Sequence, residues 1–148
     1  MADKIVFTDI DHTISNAWWR DHLLGEWDEY HRLGAEDKPI DETIAMIESL
    51  YRDDWYIVGL TARPDKWRQQ TMSWCLKHSV MIDELIMRPE KNFQGAAEFK
   101  LEVIKQFCHD HLTDELILIL DDRDDVIAAV KATIKCIALQ VNKGGVGG

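Results

Sequence analysis

A chain of 148 residues with 46% hydrophobic and 30% charged residues suits one globular unit with a single sizeable core and is too short for two. No apolar run approaches the roughly 20 residues of a membrane helix, and Asp3 and Lys4 interrupt any signal-peptide pattern, so cytoplasmic residence and no membrane partner are expected. The formal charge of −10 argues against extended binding of duplex nucleic acid, while a local basic pocket can still hold one phosphate.

The run Ile5-Val6-Phe7 leads into Thr8-Asp9-Ile10-Asp11-His12-Thr13. An apolar β-prone run that stops on two aspartates reads as a buried strand delivering acids to its C-terminal edge, where ligands sit in open parallel sheets. From Ile14 to Pro39 the sequence reads as an irregular connection holding Trp18, Trp19, Arg20, Trp27, Tyr30 and Arg32, with Gly25 and Gly34 as breakers. Its aromatics either cap the core or form a short lid whose faces stack on a base.

Asp41 to Arg52 shows Ile44, Ile47, Leu50 and Tyr51 at helical spacing behind an acidic start. Trp55 to Leu60 reads as a second buried strand ending on Thr61-Ala62-Arg63, and Pro64-Asp65 opens the next helix, with Trp67, Thr71, Trp74 and His78 on one face. His78 suits a helix end better than a ligand role. Glu84 to Met87 is a short strand. A helix follows from about Ala96 with Phe99, Val103, Ile104, Phe107 and Cys108 as its apolar stripe and Lys100 near its first turn. Leu116 to Leu120 is a strand that again ends on acid, Asp121-Asp122-Arg123-Asp124-Asp125, before a helix starting at Val126. A last strand spans Cys136 to Val141, and the glycine-rich tail 143–148 is expected to fray. Cys75, Cys108 and Cys136 are widely spaced without a C-x-x-C, so neither a disulfide framework nor a structural zinc site is indicated. They read as small buried hydrophobes.

Strands alternating with helices imply a three-layer α/β fold, a Rossmann-like parallel sheet with helices on both faces. Three of its strands end at one edge bearing Asp9 and Asp11, Thr61 and Arg63, and Asp121 and Asp122. Clustered carboxylates do not all ionise comfortably without a cation, and hard oxygen ligands in small number favour Mg²⁺ over zinc.

In these motifs the sequence resembles the haloacid dehalogenase-like (HAD) phosphatases. D-x-D-x-T appears as Asp9-Ile10-Asp11-His12-Thr13, the second motif as Thr61 in V-G-L-T-A-R, the third as Lys100, and the fourth as Asp121-Asp122 after I-L-I-L. The resemblance implies that Asp9 is the nucleophile, Asp11 the general acid and base, Thr61 a ligand of the phosphoryl group, and Lys100 its neutralising cation. It also implies Mg²⁺ held by Asp9, the main-chain carbonyl of Asp11, and the acids of the fourth motif. Which of Asp121, Asp122 and Asp125 binds directly stays open. His12 stands where the family has glycine, a departure tolerated if the turn does not need positive φ.

I-L-D-D-R-D-D-V-I, T-A-R and Arg20 resemble, more narrowly, the phosphatase domain of phage-type polynucleotide kinase/3′-phosphatases. That makes Arg20 and Arg63 candidate phosphate ligands beside Trp18 and Trp19 as candidate stacking residues, while Arg123 is expected to pair with neighbouring acids. No kinase P-loop of the form G-x-x-x-x-G-K-[ST] occurs in the sequence.

The expected domain is 1–142, with 14–39 as a short lid in place of a large cap. The expected activity is Mg²⁺-dependent hydrolysis of a nucleotide-type phosphate through an aspartyl-phosphate, favouring 3′-phosphate ends of nucleic acid or 3′-nucleotides. The alternatives are a 5′-nucleotidase acting on free (deoxy)nucleoside monophosphates and a non-catalytic protein that binds a phosphorylated ligand. The sequence leaves the oligomeric state open.

Overall fold

The computed structural model describes residues 4–111 and 116–143. Five strands form a parallel sheet in the order β5-β4-β1-β6-β7: β1 Lys4–Thr8, β4 Tyr56–Pro64, β5 Glu84–Arg88, β6 Leu116–Asp121 and β7 Ile137–Gln140. Side chains alternate across a strand, and the central strands are apolar on both faces. Val6, Ile57, Leu118 and Leu120 therefore pack on one side with Ile44 and Ile47 of α2 (Asp41–Arg52) and Trp74 and Cys75 of α3 (Arg68–Lys77). Ile5, Phe7, Val58, Leu60, Ile117 and Ile119 pack on the other with Phe99, Ile104 and Phe107 of α4 (Ala96–His111) and Val130 of α5 (Asp124–Thr133). The result is the expected three-layer α/β sandwich. Among the described residues no helix is long and apolar enough to cross a membrane.

The chain leaves β1 toward β4 on one side and returns to β6 on the other, so the C-terminal end of β1 is a topological switch point, the place where such sheets bind ligands. Thr8 pairs in register with Gly59 of β4 and Leu120 of β6. The residues just beyond that line, Asp9, Thr61 and Asp121, consequently come together.

The segment 14–39 is more ordered than its composition suggests. Ser15–Asn16 (β2) and Lys38–Pro39 (β3) pair as a two-stranded antiparallel ribbon, and between them lie a 3₁₀ turn over Trp18–Leu23, helix α1 (Trp27–Arg32) and a second 3₁₀ turn over Leu33–Glu36. The ribbon closes the insertion at its base, so its two ends leave the sheet side by side. Gly34 is pressed against the Arg20 guanidinium, where a Cβ would come within 3.3 Å of Nη2. Of the cysteines Cys75 is buried, but Cys108 and Cys136 are only half-buried, because they lie at the flanks of the second cluster; no disulfide joins the three. His78 follows α3 and packs its ring 4.5 Å from that of Trp74, a helix-end role. Beyond Lys143 the glycine-rich tail lies outside the described residues.

Ile57 is fully buried at the centre of the first cluster. Ile57→Ala is expected to lower the unfolding free energy by about 2–5 kcal/mol, read as a lower urea midpoint at unchanged slope. A loss under about 0.5 kcal/mol would place Ile57 outside the tightly packed core.

Candidate active site

Asp9 follows β1 directly, its amide donating to Leu120 O at 3.0 Å, so its place is fixed by the sheet itself. The Asp9 carboxylate is held from two sides. Lys100 Nζ lies 2.9 Å from Oδ1, and Thr13 Oγ1 donates to Oδ2 at 3.2 Å. Lys100 also donates to Asp121 Oδ2 at 2.7 Å, and the Arg123 amide donates to Asp121 Oδ1 at 3.0 Å. Thr13 thus steadies the Asp9 carboxylate.

Asp9, Asp121 and Asp122 each present a carboxylate oxygen within 4.8 Å of the others, against the single ammonium of Lys100. Burial and the Asp9 charge push the carboxyls of Asp121 and Asp122 above the usual range. Burial opposes the charge of Lys100, but Asp9 and Asp121 prevail and hold it protonated. An all-oxygen set with negative charge in excess fits a hard divalent cation such as Mg²⁺. Asp125 stands apart, paired with Arg123 at 2.9 and 2.7 Å.

Asp11 belongs to a second network. Its Oδ1 accepts from Arg20 Nη2 and Arg63 Nη2, each at 2.7 Å, and its Oδ2 from Arg63 Nε at 3.0 Å. Burial disfavours the charged carboxylate, yet Arg63 and then Arg20 overcome it and hold the group well below the usual range. The Asp11 side chain therefore stands outside the carboxylate cluster.

Arg20, expected on the phosphate, is a correction. Its side chain is wholly buried and donates to both oxygens of Asp37, to Tyr30 O and to Asp11. The guanidinium lies behind Asp11 and forms no part of the cleft wall. Asp37, which sequence reasoning missed, anchors this network: buried itself, it also accepts from Trp19 Nε1 at 2.9 Å and, through its carbonyl, from Trp74 Nε1 at 2.9 Å. Arg63 does reach the cleft, as does Thr61, whose Oγ1 accepts the Arg63 amide at 3.1 Å.

Above these groups opens a cleft of about 600 Å³. The insertion lines it with Asp21, Leu24, Trp27, Tyr30 and His31. Trp18 and Trp19 are a second correction, since neither reaches it. Trp18 packs on His12 with rings 4.3 Å apart, and Trp19 turns its indole N–H to Asp37. The tryptophan on the cleft is Trp27, 54% exposed, and Phe93, 88% exposed, lies on the wall as well. Helical spacing within α1 would have placed Trp27, Tyr30 and His31 on one face, had the helix been recognised.

His12 takes φ of 66°, so the turn does require the left-handed conformation that the family glycine would supply. Asn142 Nδ2, donating to His12 O at 2.9 Å and Thr13 O at 3.2 Å, braces that turn from across the sheet. His12 is also among the residues that line the cleft.

A family model described as the polynucleotide kinase PNKP phosphatase domain matches residues 3–145. No curated protein matches the chain. Among solved structures, a chain of the Pnkp1/Rnl/Hen1 RNA repair complex superposes with a TM-score of 0.78 at 20% identity, covering 97% of this chain but 43% of that one. This chain thus spans less than half of that relative. D,D-heptose 1,7-bisphosphate phosphatase from B. bronchiseptica, complexed with magnesium and phosphate, gives 0.62 at 14% identity over 93% of this chain and 79% of that one. A class C acid phosphatase from Bacillus anthracis with tungstate bound gives 0.62 at 16% over 95% and 68%.

The raised carboxyls of Asp121 and Asp122 imply that, without a cation, the folded state loses stability as pH rises through them, because ionisation leaves charges facing Asp9. Mg²⁺ binds the ionised form. Saturating Mg²⁺ is therefore expected to raise Tm by about 5–10 °C near pH 8 and by less near pH 5. Differential scanning calorimetry measures this, and an equal shift at both pH values would show that the carboxylates do not form the site.

Proposed function

The chain belongs to the family of polynucleotide kinase PNKP phosphatase domains and is a haloacid dehalogenase-type phosphatase; from that premise we propose that it hydrolyses the 3′-phosphate of a nucleic-acid end or 3′-nucleotide through an aspartyl-phosphate. The observation that carries this reading is the cluster of Asp9, Lys100, Asp121 and Asp122, of which Asp9, Lys100 and Asp122 line a cleft that also presents Thr61 and Arg63.

In the first half-reaction a carboxylate oxygen of Asp9 attacks phosphorus, the bond from phosphorus to the ribose 3′ oxygen breaks, and Asp11 donates the proton that the leaving oxygen takes. Thr61 has its hydroxyl hydrogen free of other acceptors among the described residues and can donate to a phosphoryl oxygen. Lys100, already charged and desolvated, offsets the negative charge around Asp9. In the second half-reaction water attacks the aspartyl-phosphate, Asp11 accepts its proton, and the bond from phosphorus to Asp9 breaks to release phosphate. The arginine clamp keeps resting Asp11 ionised, with a lone pair for the proton of the attacking water. An incoming phosphoryl group competes with Asp11 for Arg63, and loosening that grip favours the protonated form that the first step needs. Mg²⁺, held by Asp9, Asp121, Asp122 and the Asp11 carbonyl, supplies charge neutralisation at the phosphoryl oxygens when bound.

Segment 14–39 serves as the lid, and Trp27 rather than Trp18 or Trp19 is its stacking face. A cleft of about 600 Å³ bounded by Trp27 and Phe93 is larger than a phosphoryl group needs and offers aromatic surface for a nucleobase. A nucleic-acid end also suits the RNA repair complex in which a similar fold occurs. Three cysteines without a disulfide suit a reducing, cytoplasmic setting.

Asp9→Asn is expected to abolish p-nitrophenyl phosphate turnover at an unchanged circular dichroism spectrum, and wild-type turnover is expected to require Mg²⁺. Retained activity in the variant would mean that another group is the nucleophile. Across 3′-phosphorylated oligonucleotides, 3′-nucleotides and 5′-mononucleotides, kcat/KM is expected to favour the 3′-phosphates; preference for 5′-mononucleotides would overturn the assignment. Trp27→Ala is expected to lower kcat/KM on nucleotide substrates by about 5- to 150-fold, the worth of one stacked base, and far less on p-nitrophenyl phosphate. Equal losses would exclude stacking.

A further inference from the structure

The cleft carries three arginines, and two of them have carboxylate partners: Arg63 with Asp11 and Arg123 with Asp125. The third, Arg88, has none among the described residues. It ends β5, paired in register with Pro64 of β4, and so stands one strand outward from Arg63 at the same sheet edge. Its Nε is buried without a hydrogen-bond partner, and its guanidinium lies 5.7 Å from the Phe99 ring centroid. A ring face is no substitute for an in-plane acceptor, so the contact with Phe99 leaves the Nε–H donor unused.

Burial and the like charge of Arg123 both work against a cation at Arg88, pulling its pKa below the ordinary arginine value. An unpartnered, partly desolvated guanidinium beside a second one is unfavourable unless an anion meets it. In a chain of net charge −10, acids are plentiful, yet none of the described carboxylates reaches this side chain. Planar, multiply donating guanidinium is well matched to a phosphate diester.

We propose that Arg88, with Arg123 beside it, binds a second anionic group of the substrate: the phosphodiester that joins the terminal nucleotide to the one before it. This rests on the 3′-phosphate reading above and deepens it. The cleft floor takes the terminal phosphomonoester, Trp27 and Phe93 offer apolar surface to the base, and the Arg88 wall takes the next phosphate. A nucleoside 3′-monophosphate lacks that second anion, so the subsite adds binding only for a polymer end.

The test compares kcat/KM for p-nitrophenyl phosphate, a nucleoside 3′-monophosphate, a nucleoside 3′,5′-bisphosphate, a dinucleotide 3′-phosphate, and the same dinucleotide with a neutral methylphosphonate linkage. In the wild-type enzyme the dinucleotide is expected to exceed both the 3′-monophosphate and the methylphosphonate by about 10-fold or more, the effect of a hydrogen bond to a charged group. In Arg88→Gln the ratio of dinucleotide to p-nitrophenyl phosphate is expected to fall by about the same factor, and Arg88→Lys to restore part of it. Equal losses on every substrate, or a methylphosphonate as good as the diester, would overturn the subsite. Preference for the 3′,5′-bisphosphate over the dinucleotide would overturn the diester assignment in favour of a second terminal phosphate. The methylphosphonate comparison needs no variant, so it decides the question even if Arg88→Gln folds poorly. Failure of all 3′-phosphates while p-nitrophenyl phosphate turns over would sink the 3′-phosphate reading itself; their turnover without a diester advantage would sink the subsite alone.

Discussion

The ammonium of Lys100, buried between Asp9 at 2.9 Å and Asp121 at 2.7 Å, ties three elements to one point. It joins α4 to the ends of β1 and β6, and those ends carry the acids that the site needs. Desolvating such charges is costly, and their attraction offsets the cost only when geometry is good and the remaining lone pairs are met. Here they are met in part, by Thr13 on Asp9 and by the Arg123 amide on Asp121. What remains is an excess of carboxylate over ammonium, and that excess is the feature a divalent cation answers.

A second buried network lies beside the first and links the insertion to the sheet. Asp37 enters from just before β3, Arg20 from the 3₁₀ turn, Asp11 from the loop after β1, and Arg63 from β4. Removing one member would leave another charge buried and unpaired, so the insertion is fixed in place by electrostatics as well as by its ribbon. The two networks divide the work at the switch point. The Lys100 network holds the Asp9 carboxylate in place under the cleft; the arginine network orients Asp11 and supplies Arg63, the one of its two arginines that lines the cleft.

The motif residues were legible because their local context is strong. An apolar run fixes a strand, and residues just past its end must emerge at the sheet edge, so Asp9, Thr61 and Asp121 converge once β4, β1 and β6 lie side by side and parallel. The helix at Asp41–Arg52 was legible to its boundaries from apolar spacing and an acidic start. The insertion was not. Its helix is six residues long, and its glycines and mixed polarity mask the periodicity. Reading it as irregular made Trp18 and Trp19 the candidate stacking residues, whereas α1 places Trp27 and His31 on the cleft wall. Arg20 was misplaced for a related reason: a sequence shows that an arginine is near a motif, but not that an aspartate 17 residues later is buried against it.

The sequence by itself determined the α/β class, the strand ends that carry acid, and the phosphatase family, because each follows from local hydrophobic patterning or from a motif whose chemistry needs those residue types. Only the tertiary structure decided which side chains face the cleft and which lie behind it. That choice depends on long-range partners: Asp37 draws Arg20 away from the cleft, Asp11 holds Arg63 at its wall, and Arg88 meets no carboxylate among the described residues. No periodicity encodes such pairings, since a charged side chain takes its role from the charges that folding brings within a few ångströms of it.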